Sequence, residues 1–461
     1  VKTIRDKHIT VVGLGKTGQA LAGFLNARGA KVTAVDRSPE SALGDIPARL
    51  RRAGVEVVLG EHDPAAFESS DLIVLSPGVP HTLESVVRAQ NAGVPVTGEI
   101  ELASWFIHTP IVAVTGTNGK TTVTRLIGEM LNASGLNAFV GGNLGTPLIS
   151  YAHGPMDADV VVAEISSFQL DTADMFHPGV GVLLNITADH LDRYPNLRAY
   201  GRSKAKIFAR QTRADIAVLN RGDDLIMELT RDIAAAKCLF NQEEDAACGA
   251  WIENAQMRVK TPEHGEMTIA ATEVPLPGRH NMENATAAAL AALAAGASRE
   301  GVLRGLREFV ADPHRLQFVG RFHGVDYYDD SKATNVDAVV RAVAAVSFPV
   351  VLILGGRDKG GGYEDLVPVV KDRVRALVLL GEASAAIERE LGGLVQSVRT
   401  DSMDAAVAAA ADLAEAGNTV LLSPACASFD LYDNYAQRGE DFQRAVKQTG
   451  KRADGSQADN T

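Results

Sequence analysis

The residues best suited to chemistry sit in one short run: Gly116, Thr117, Asn118, Gly119, Lys120, Thr121 and Thr122. Glycines let a loop bring backbone N–H groups against phosphate oxygens. A lysine adds a point charge at the β- and γ-phosphates, and a threonine hydroxyl can ligate Mg²⁺. Five mostly apolar, β-prone residues, Ile111 to Thr115, lead into the run, and a helix-like segment leaves it. That is the strand–loop–helix order of a phosphate-binding loop. The spacing G-x-x-x-x-G-K-[ST] would put glycine at position 114, where Val114 stands, so this is a shorter T-G-T-N-G-K-T form. It reads as an ATP site rather than as a βα turn with a lysine at a helix start.

Acidic strand ends come next. DVVVAEISSFQL (159–170) reads as an apolar strand ending at Glu164, and GVGVLLNITADHLDRY (179–194) as a second, running into Asp189, His190 and Asp192. An acid emerging from a buried strand near a phosphate loop is a natural Mg²⁺ ligand. For His190 a metal role and a solvated loop position stand level, because a hard cation prefers oxygen. Lys204 and Lys206 lie in a basic helical segment, 197–212, and on pattern alone read as a solvated face. Asn281 and Asn284, three apart at the start of an Ala-rich helix, share one face, where capping and a nucleobase contact both remain open.

Near the start, Gly13-Leu14-Gly15-Lys16-Thr17-Gly18 matches G-x-G-x-x-G between a strand and a helix pattern, and Asp36 closes the next strand. Such a motif reports a diphosphate or nucleotide at a helix N-terminus, not a hydride transfer. A nucleotide-containing ligand other than NAD is the favoured reading. Ser76-Pro77-Gly78 ends a further strand, where open α/β sheets place ligands, although a plain Pro-Gly turn fits equally well.

Positioning these groups takes α/β units, and 461 residues suggest about three domains. The boundaries expected are 1–98, 99–311 and 312–461. The fold class is α/β, with a Rossmann-like N-terminal domain, a central P-loop ATPase-like domain and a Rossmann-like, doubly wound C-terminal domain. Strands at 326–330, 350–355, 376–381, 395–398 and 419–424 alternate with helical segments in the last block, and 449–461 reads as a disordered tail. A composition of 46% hydrophobic and 22% charged residues is that of a soluble globular protein. The net charge of −12 argues against a general nucleic-acid binder. Cys238, Cys248 and Cys426 have neither zinc spacing nor disulfide-framework density, which points to a reducing compartment. No signal-peptide core and no apolar run of membrane-spanning length is present, so a cytoplasmic location is expected, with monomer as the default.

Taken together and in this order, the motifs resemble the Mur ligases, the ATP-dependent amino-acid ligases of peptidoglycan precursor synthesis. The resemblance covers nearly the whole chain, to about Arg438. TGTNGKTT, Glu164, His190, the lysine helix, GRHNMENATAA and His314-Arg315 carry the family-wide part. EISSFQL, DDSKATN, LGGRDKG and LLSPACASFD resemble the branch that adds D-glutamate. The resemblance implies that ATP phosphorylates the carboxylate of UDP-MurNAc-L-Ala and that D-glutamate attacks the acyl phosphate. Lys120 would then hold the β/γ-phosphates, Thr121 and Glu164 a first Mg²⁺, and Glu164 with His190 a second. Lys204 would be N-carbamylated by CO₂, turning a cation into a carboxylate-like metal ligand. Asn143 would lie near the reacting groups. Asn281, Asn284, Arg315, Asp330 and Lys332 would bind ATP, and Thr334, Lys359, Ser428, Phe429 and Tyr435 would form the D-glutamate pocket. The UDP substrate would contact Leu14, Lys16, Thr17, Asp36, Arg37, Ser76, Pro77, Gly78, Asn143, Ser166 and His190. Two positions depart from the family pattern: Arg357 stands where relatives are often acidic, and Tyr435 where phenylalanine is usual. Either could alter the rim of the amino-acid pocket.

Three other readings compete. A ligase for another amino acid, or a folylpolyglutamate synthase-like enzyme, should lack the UDP-binding first domain and the SPACAS loop. An NAD-dependent oxidoreductase gives no role to TGTNGKTT. A non-catalytic nucleotide-binding regulator should have lost Lys120, Glu164 or His190, and all three are present.

Overall fold

The computed structural model describes residues 3–61, 67–143, 145–242, 247–360 and 362–458. Short β-branched runs build three sheets. The first holds β1 (His8–Val12), β2 (Lys31–Asp36), β3 (Glu56–Leu59), β4 (Leu72–Leu75) and β5 (Val96–Gly98), in the order β3-β2-β1-β4-β5. All its pairings are parallel. Strand order reverses between β1 and β4, so the loops leaving Val12 and Leu75 emerge side by side, the crevice where such sheets bind ligands.

The second sheet comprises β6 (Ile111–Thr115), β7 (Ala138–Gly142), β8 (Val160–Glu164), β9 (Val180–Leu183), β10 (Ile216–Asn220), β11 (Ala236–Phe240), β12 (Gly249–Glu253), β13 (Gln256–Thr261) and β14 (Gly265–Ala270). Its order is β14-β13-β12-β11-β10-β9-β6-β8-β7. β6 and β8 are buried along their whole length, which suits their near-continuous Val, Ile and Ala composition between parallel neighbours. β6 lies between β8 and β9, so the glycine loop after Thr115 is flanked by the ends of both. β12, β13 and β14 pair antiparallel, and β13 shows the alternating burial of a half-solvated strand.

The third sheet holds β15 (Gln317–Phe322), β16 (Val325–Asp329), β17 (Val350–Leu354), β18 (Val374–Leu380), β19 (Gln396–Thr400) and β20 (Thr419–Leu422), in the order β15-β16-β20-β17-β18-β19. β20 comes last in the chain but sits between β16 and β17, so the loops leaving Asp329, Leu422 and Leu354 share one edge. Apolar clusters cover both faces, one around Leu352 and Leu377 and the other around Val351 and Phe442.

The three sheets fall into two compact units. One comprises Val1–Ile186, Gly201–Glu273 and Asn284–Phe309; the other comprises Thr187–Tyr200, Val274–Glu283 and Val310–Thr461. β15 has no counterpart among the strands read from sequence: its pattern is half exposed and broken by Gly320, and only its antiparallel pairing to β16 makes it a strand. The tail expected over 449–461 is instead helical as far as Ala458, within the helix Tyr435–Ala458. Lys451, Arg452 and Ala453 are good helix formers and no proline interrupts them; 459–461 lie outside the described residues. Cys238 and Cys248 are joined in a disulfide across 10 residues, which spacing and density had not suggested. Among the described residues no helix is long and apolar enough to cross a membrane.

Candidate active site

Within the first unit, the glycine loop is shaped by backbone that only glycine adopts easily. Gly119 has φ +84°, and a Cβ there would collide with the side-chain amide of Asn284. The helix Lys120–Ala133 starts at the next residue, aiming its unsatisfied N–H groups at the loop. Asn185, just beyond β9, accepts from Thr117 N (3.1 Å) and Asn118 N (2.8 Å) and donates back to Asn118 O (3.1 Å). Sequence reading did not single out Asn185, because an asparagine at a strand end carries no signal without the neighbouring strand.

Three polar side chains meet at the end of β8. Glu164 is buried; its Oε2 accepts from Thr121 Oγ1 and its Oε1 from Asn143 Nδ2, both at 2.7 Å. Asn143 N also donates to Glu164 O at 2.8 Å. Lys120 Nζ donates to Gly116 O (2.9 Å) and Thr117 O (2.8 Å). Lys204, read on pattern as a solvated face, is buried at 1% exposure, and its Nζ donates to Gly116 O at 2.7 Å. Its helix, Leu197–Ala205, thus points a long side chain inward at the loop.

This donor set fits ATP and Mg²⁺. A lysine and a helix N-terminus meet the phosphates, and a hydroxyl and a carboxylate already in contact supply oxygen ligands. Among the described residues no group of three or more His, Cys, Asp or Glu could hold a metal ion. A Mg²⁺ here would therefore draw its other oxygens from phosphate and water, as that ion usually does. Lys204 fits a carbamate in one respect: a carbamylated nitrogen keeps one N–H for the carbonyl of Gly116.

In the first sheet, both oxygens of Asp36 are used by backbone, from Leu14 N at 2.7 Å and Ser38 N at 2.8 Å. Asp36 thereby fixes the Gly13–Gly18 turn, and Ser76 Oγ donates to Gly13 O at 2.9 Å. Gly18 packs so close to Gly13 that a Cβ would collide with its carbonyl. Lys16 Nζ donates to Gly145 O at 2.5 Å. Thr17 lies in the first turn of the helix after β1, the exposed Arg37 directly follows β2, and Pro77 and Gly78 follow β4. Leu14 is different: its side chain is fully buried and its carbonyl accepts from Gln19 Nε2, so it packs rather than projects. The Ser166 hydroxyl is engaged in a reciprocal cap with Gln169 at the start of the helix Ser167–Asp171.

In the second unit, His190 has φ +56° and its ring meets Tyr200 edge-on. Asp189 is the centre of a cluster: its Oδ1 lies 3.3 Å from Lys359 Nζ and its Oδ2 3.4 Å from Asn335 Nδ2. Lys359 also reaches Thr334 Oγ1 at 3.4 Å, and these residues line a small cleft with Asp358 and Tyr363. Asp330 accepts from Leu316 N and Ser423 Oγ, both at 3.0 Å, and burial pushes its carboxyl up to about 7. Lys332 lies over the ring of Tyr435, and Arg315 reaches Asp312. Ser428 is buried, whereas Phe429 is 61% exposed. Asn281 donates to Pro277 O at 2.6 Å, closing the first turn of the helix Arg279–Ala294. Arg357, suspected of altering the amino-acid rim, bridges Ala427 through its backbone and pairs its guanidinium with Glu382.

Comparison with known proteins follows the same three segments. The model described as "Mur ligase MurD-like, N-terminal domain" matches residues 7–98, "Mur ligase middle domain" 114–292, and "Mur ligase, glutamate ligase domain" 314–426. The chain is 49% identical over 443 residues to the UDP-N-acetylmuramoylalanine–D-glutamate ligase of Desulfatibacillum aliphaticivorans, covering 96% of this chain and 98% of that one. It is 48% identical over 442 residues to the protein of the same name from Desulfosudis oleivorans, covering 96% of each. Among solved structures, MurF from Acinetobacter baumannii superposes with TM-score 0.60 at 17% identity, over 95% of this chain and 94% of that one. UDP-N-acetylmuramate-alanine ligase from Thermotoga maritima gives 0.58 at 18%, over 96% and 100%. At such identities the structural likeness establishes the fold alone.

Proposed function

The chain belongs to the Mur ligase family, and we infer from that premise that it is an ATP-dependent ligase adding D-glutamate to UDP-N-acetylmuramoyl-L-alanine in peptidoglycan precursor synthesis. The observation that carries this reading is the meeting of Thr121, Glu164 and Asn143 beside Lys120, in a chain nearly half identical to ligases of that name along its length.

The chemistry follows from charge. The substrate carboxylate attacks the γ-phosphorus of ATP, ADP leaves, and an acyl phosphate forms. The amine of D-glutamate then attacks the acyl carbon, loses a proton, and phosphate departs. Anions must approach one another at both steps, so positioning and neutralisation dominate the catalysis. Lys120 and the N-terminus of Lys120–Ala133 would hold the phosphates, while Asn143 donates toward the reacting carboxylate. Bound Mg²⁺ would neutralise developing charge on the phosphoryl oxygens. Thr121 and Glu164 would hold one ion. For a second, Glu164 and His190 would be the ligands, and Lys204, if carbamylated, would add carboxylate-like oxygen donors.

The remaining assignments are likewise proposals. Asn281, Asn284, Arg315, Asp330 and Lys332 would contact ATP, and Thr334, Lys359, Ser428, Phe429 and Tyr435 the amino acid. Lys16, Thr17, Asp36, Arg37, Ser76, Pro77 and Gly78 would face the uridine diphosphate, where helix-terminus chemistry serves a nucleotide without NAD. We propose domains at 1–98, 99–311 and 312–461, and a monomeric, cytoplasmic enzyme. The acyl-phosphate route is tested by ¹⁸O in the substrate carboxylate. One label should appear in the released phosphate, and phosphate free of label would refute the route.

A further inference from the structure

Cys238 lies within β11 and Cys248 directly precedes β12, and the two strands run parallel with Leu239 opposite Gly249. One step back in that register the two cysteines stand side by side, with Cα atoms 4.9 Å apart. Strand pairing alone thus brings them within bonding reach, so the bond can form and open without moving the backbone. In the reducing compartment proposed above, a disulfide is normally a transient, redox-sensing bond rather than a permanent staple. We propose that Cys238–Cys248 is a reversible clasp, a site of thiol–disulfide exchange with small dithiols, whose opening loosens the β12–β14 meander and weakens nucleotide binding. The nucleotide part rests on the ligase reading above.

The exchange has a defined point of entry. Cys238 is buried, whereas Cys248 is half-buried and follows the exposed Ala247. A thiolate of the dithiol attacks Cys248 Sγ; the S–S bond breaks, and Cys238 leaves as a thiolate and takes up a proton. The second thiolate of the reagent then attacks the mixed disulfide, releasing Cys248 as a thiol while the reagent closes to its own disulfide. Two electrons and two protons pass from reagent to protein, and the oxidised reagent reverses the sequence.

The clasp sits at a thin junction of the sheet. Among the described residues two residue pairs join β11 to β12, against five each for β10 with β11 and β12 with β13. One backbone bond of that junction, from Leu239 N to Cys248 O, is long at 3.4 Å. Opening the disulfide therefore leaves the meander on a short ladder. From the end of β11 a hydrogen-bonded path leads to the glycine loop. Asn241 Nδ2 donates to Asn220 Oδ1 at 3.1 Å, Asn220 Nδ2 to Leu184 O at 2.8 Å, and Leu184 N to Thr115 O at 3.0 Å. Thr115 is the residue before Gly116, so loosening at Asn241 acts on the strand end from which the loop springs.

The test uses the full wild-type chain equilibrated with glutathione disulfide or with dithiothreitol, so it does not depend on a variant folding. Alkylation after denaturation should find one of the three cysteines free in the oxidised chain and all three in the reduced chain. Reduction should speed amide hydrogen exchange in β12–β14 about tenfold and weaken AMP-PNP binding about threefold, and reoxidation should restore both. The double variant Cys238→Ser, Cys248→Ser should match the reduced chain and ignore the redox buffer. Three free cysteines in glutathione disulfide would overturn the proposal, as would a bond that dithiothreitol opens only in the unfolded chain. Equal hydrogen exchange in the two states, or a loosened meander with unchanged AMP-PNP affinity, would overturn it too. Failure of both states to bind AMP-PNP would instead refute the ATP-site reading, and hydrogen exchange would then still decide whether the bond clasps the meander.

Discussion

The Thr121 hydroxyl donates to Glu164 Oε2 at 2.7 Å, joining the first turn of the phosphate-loop helix to the end of β8. Two oxygen donors therefore stand together before any ion arrives. Thr121→Val, which keeps shape and removes the hydroxyl, should raise the Mg²⁺ concentration for half-maximal activity about tenfold, and Thr121→Ser should restore it. Mg²⁺ titration of phosphate release measures this. Equal Mg²⁺ dependence for valine and threonine would exclude the hydroxyl as a ligand.

Gly119 combines a left-handed backbone with contact against Asn284. Gly119→Ala should weaken ATP binding at least about tenfold, since the new methyl must displace backbone from the phosphate positions. Calorimetric titration with AMP-PNP checks this, with thermal unfolding as the control for folding. Undiminished affinity would mean that the loop does not cradle phosphate.

Lys204 Nζ touches the carbonyl of the first loop glycine from a fully buried position. If a carbamate forms there, wild-type activity should drop several-fold in CO₂-depleted buffer and return with added bicarbonate. Lys204→Ala should lose about a hundredfold or more and show no bicarbonate response. Wild-type activity indifferent to CO₂ would argue against the modification.

Glu99 opens the helix Glu99–Ser104 with its carboxylate buried at 1% exposure. Burial pushes its pKa up to about 7, against the pull of a 2.7 Å bond from Ile149 N. The folded chain thus holds a proton that the unfolded chain releases near pH 4.5. Its contribution to stability is full below that pH and is lost as pH rises through about 7, a change on the order of 3 kcal/mol. Glu99→Gln should remove this slope, so the Tm of the variant should gain on wild type steadily from pH 5 to pH 8. A constant difference between the two would show that Glu99 does not titrate there.

Legibility in the sequence followed the range of the interactions involved. The glycine loops, Glu164 and apolar strands such as β1, β6, β8, β17 and β20 announce themselves locally, through spacing and apolar runs. Asn185, Asp189 and Glu99 do not, because each acquires its role from a partner far along the chain. Lys204 was misread for the same reason: two lysines on a helix look solvated until the helix is seen to face the loop. The burial of Leu14 and the helix cap made by Ser166 were also not legible, since both depend on how the neighbouring segments fold. β15 and the Cys238–Cys248 bond likewise depend on pairing, which pattern alone does not reveal.

The central claim is tested most directly by phosphate release from ATP with Mg²⁺ and UDP-N-acetylmuramoyl-L-alanine. D-glutamate should be compared with L-glutamate, meso-diaminopimelate and L-lysine. Release that depends on D-glutamate alone is the expected result. Release driven by one of the others, or by none of the four, would contradict it.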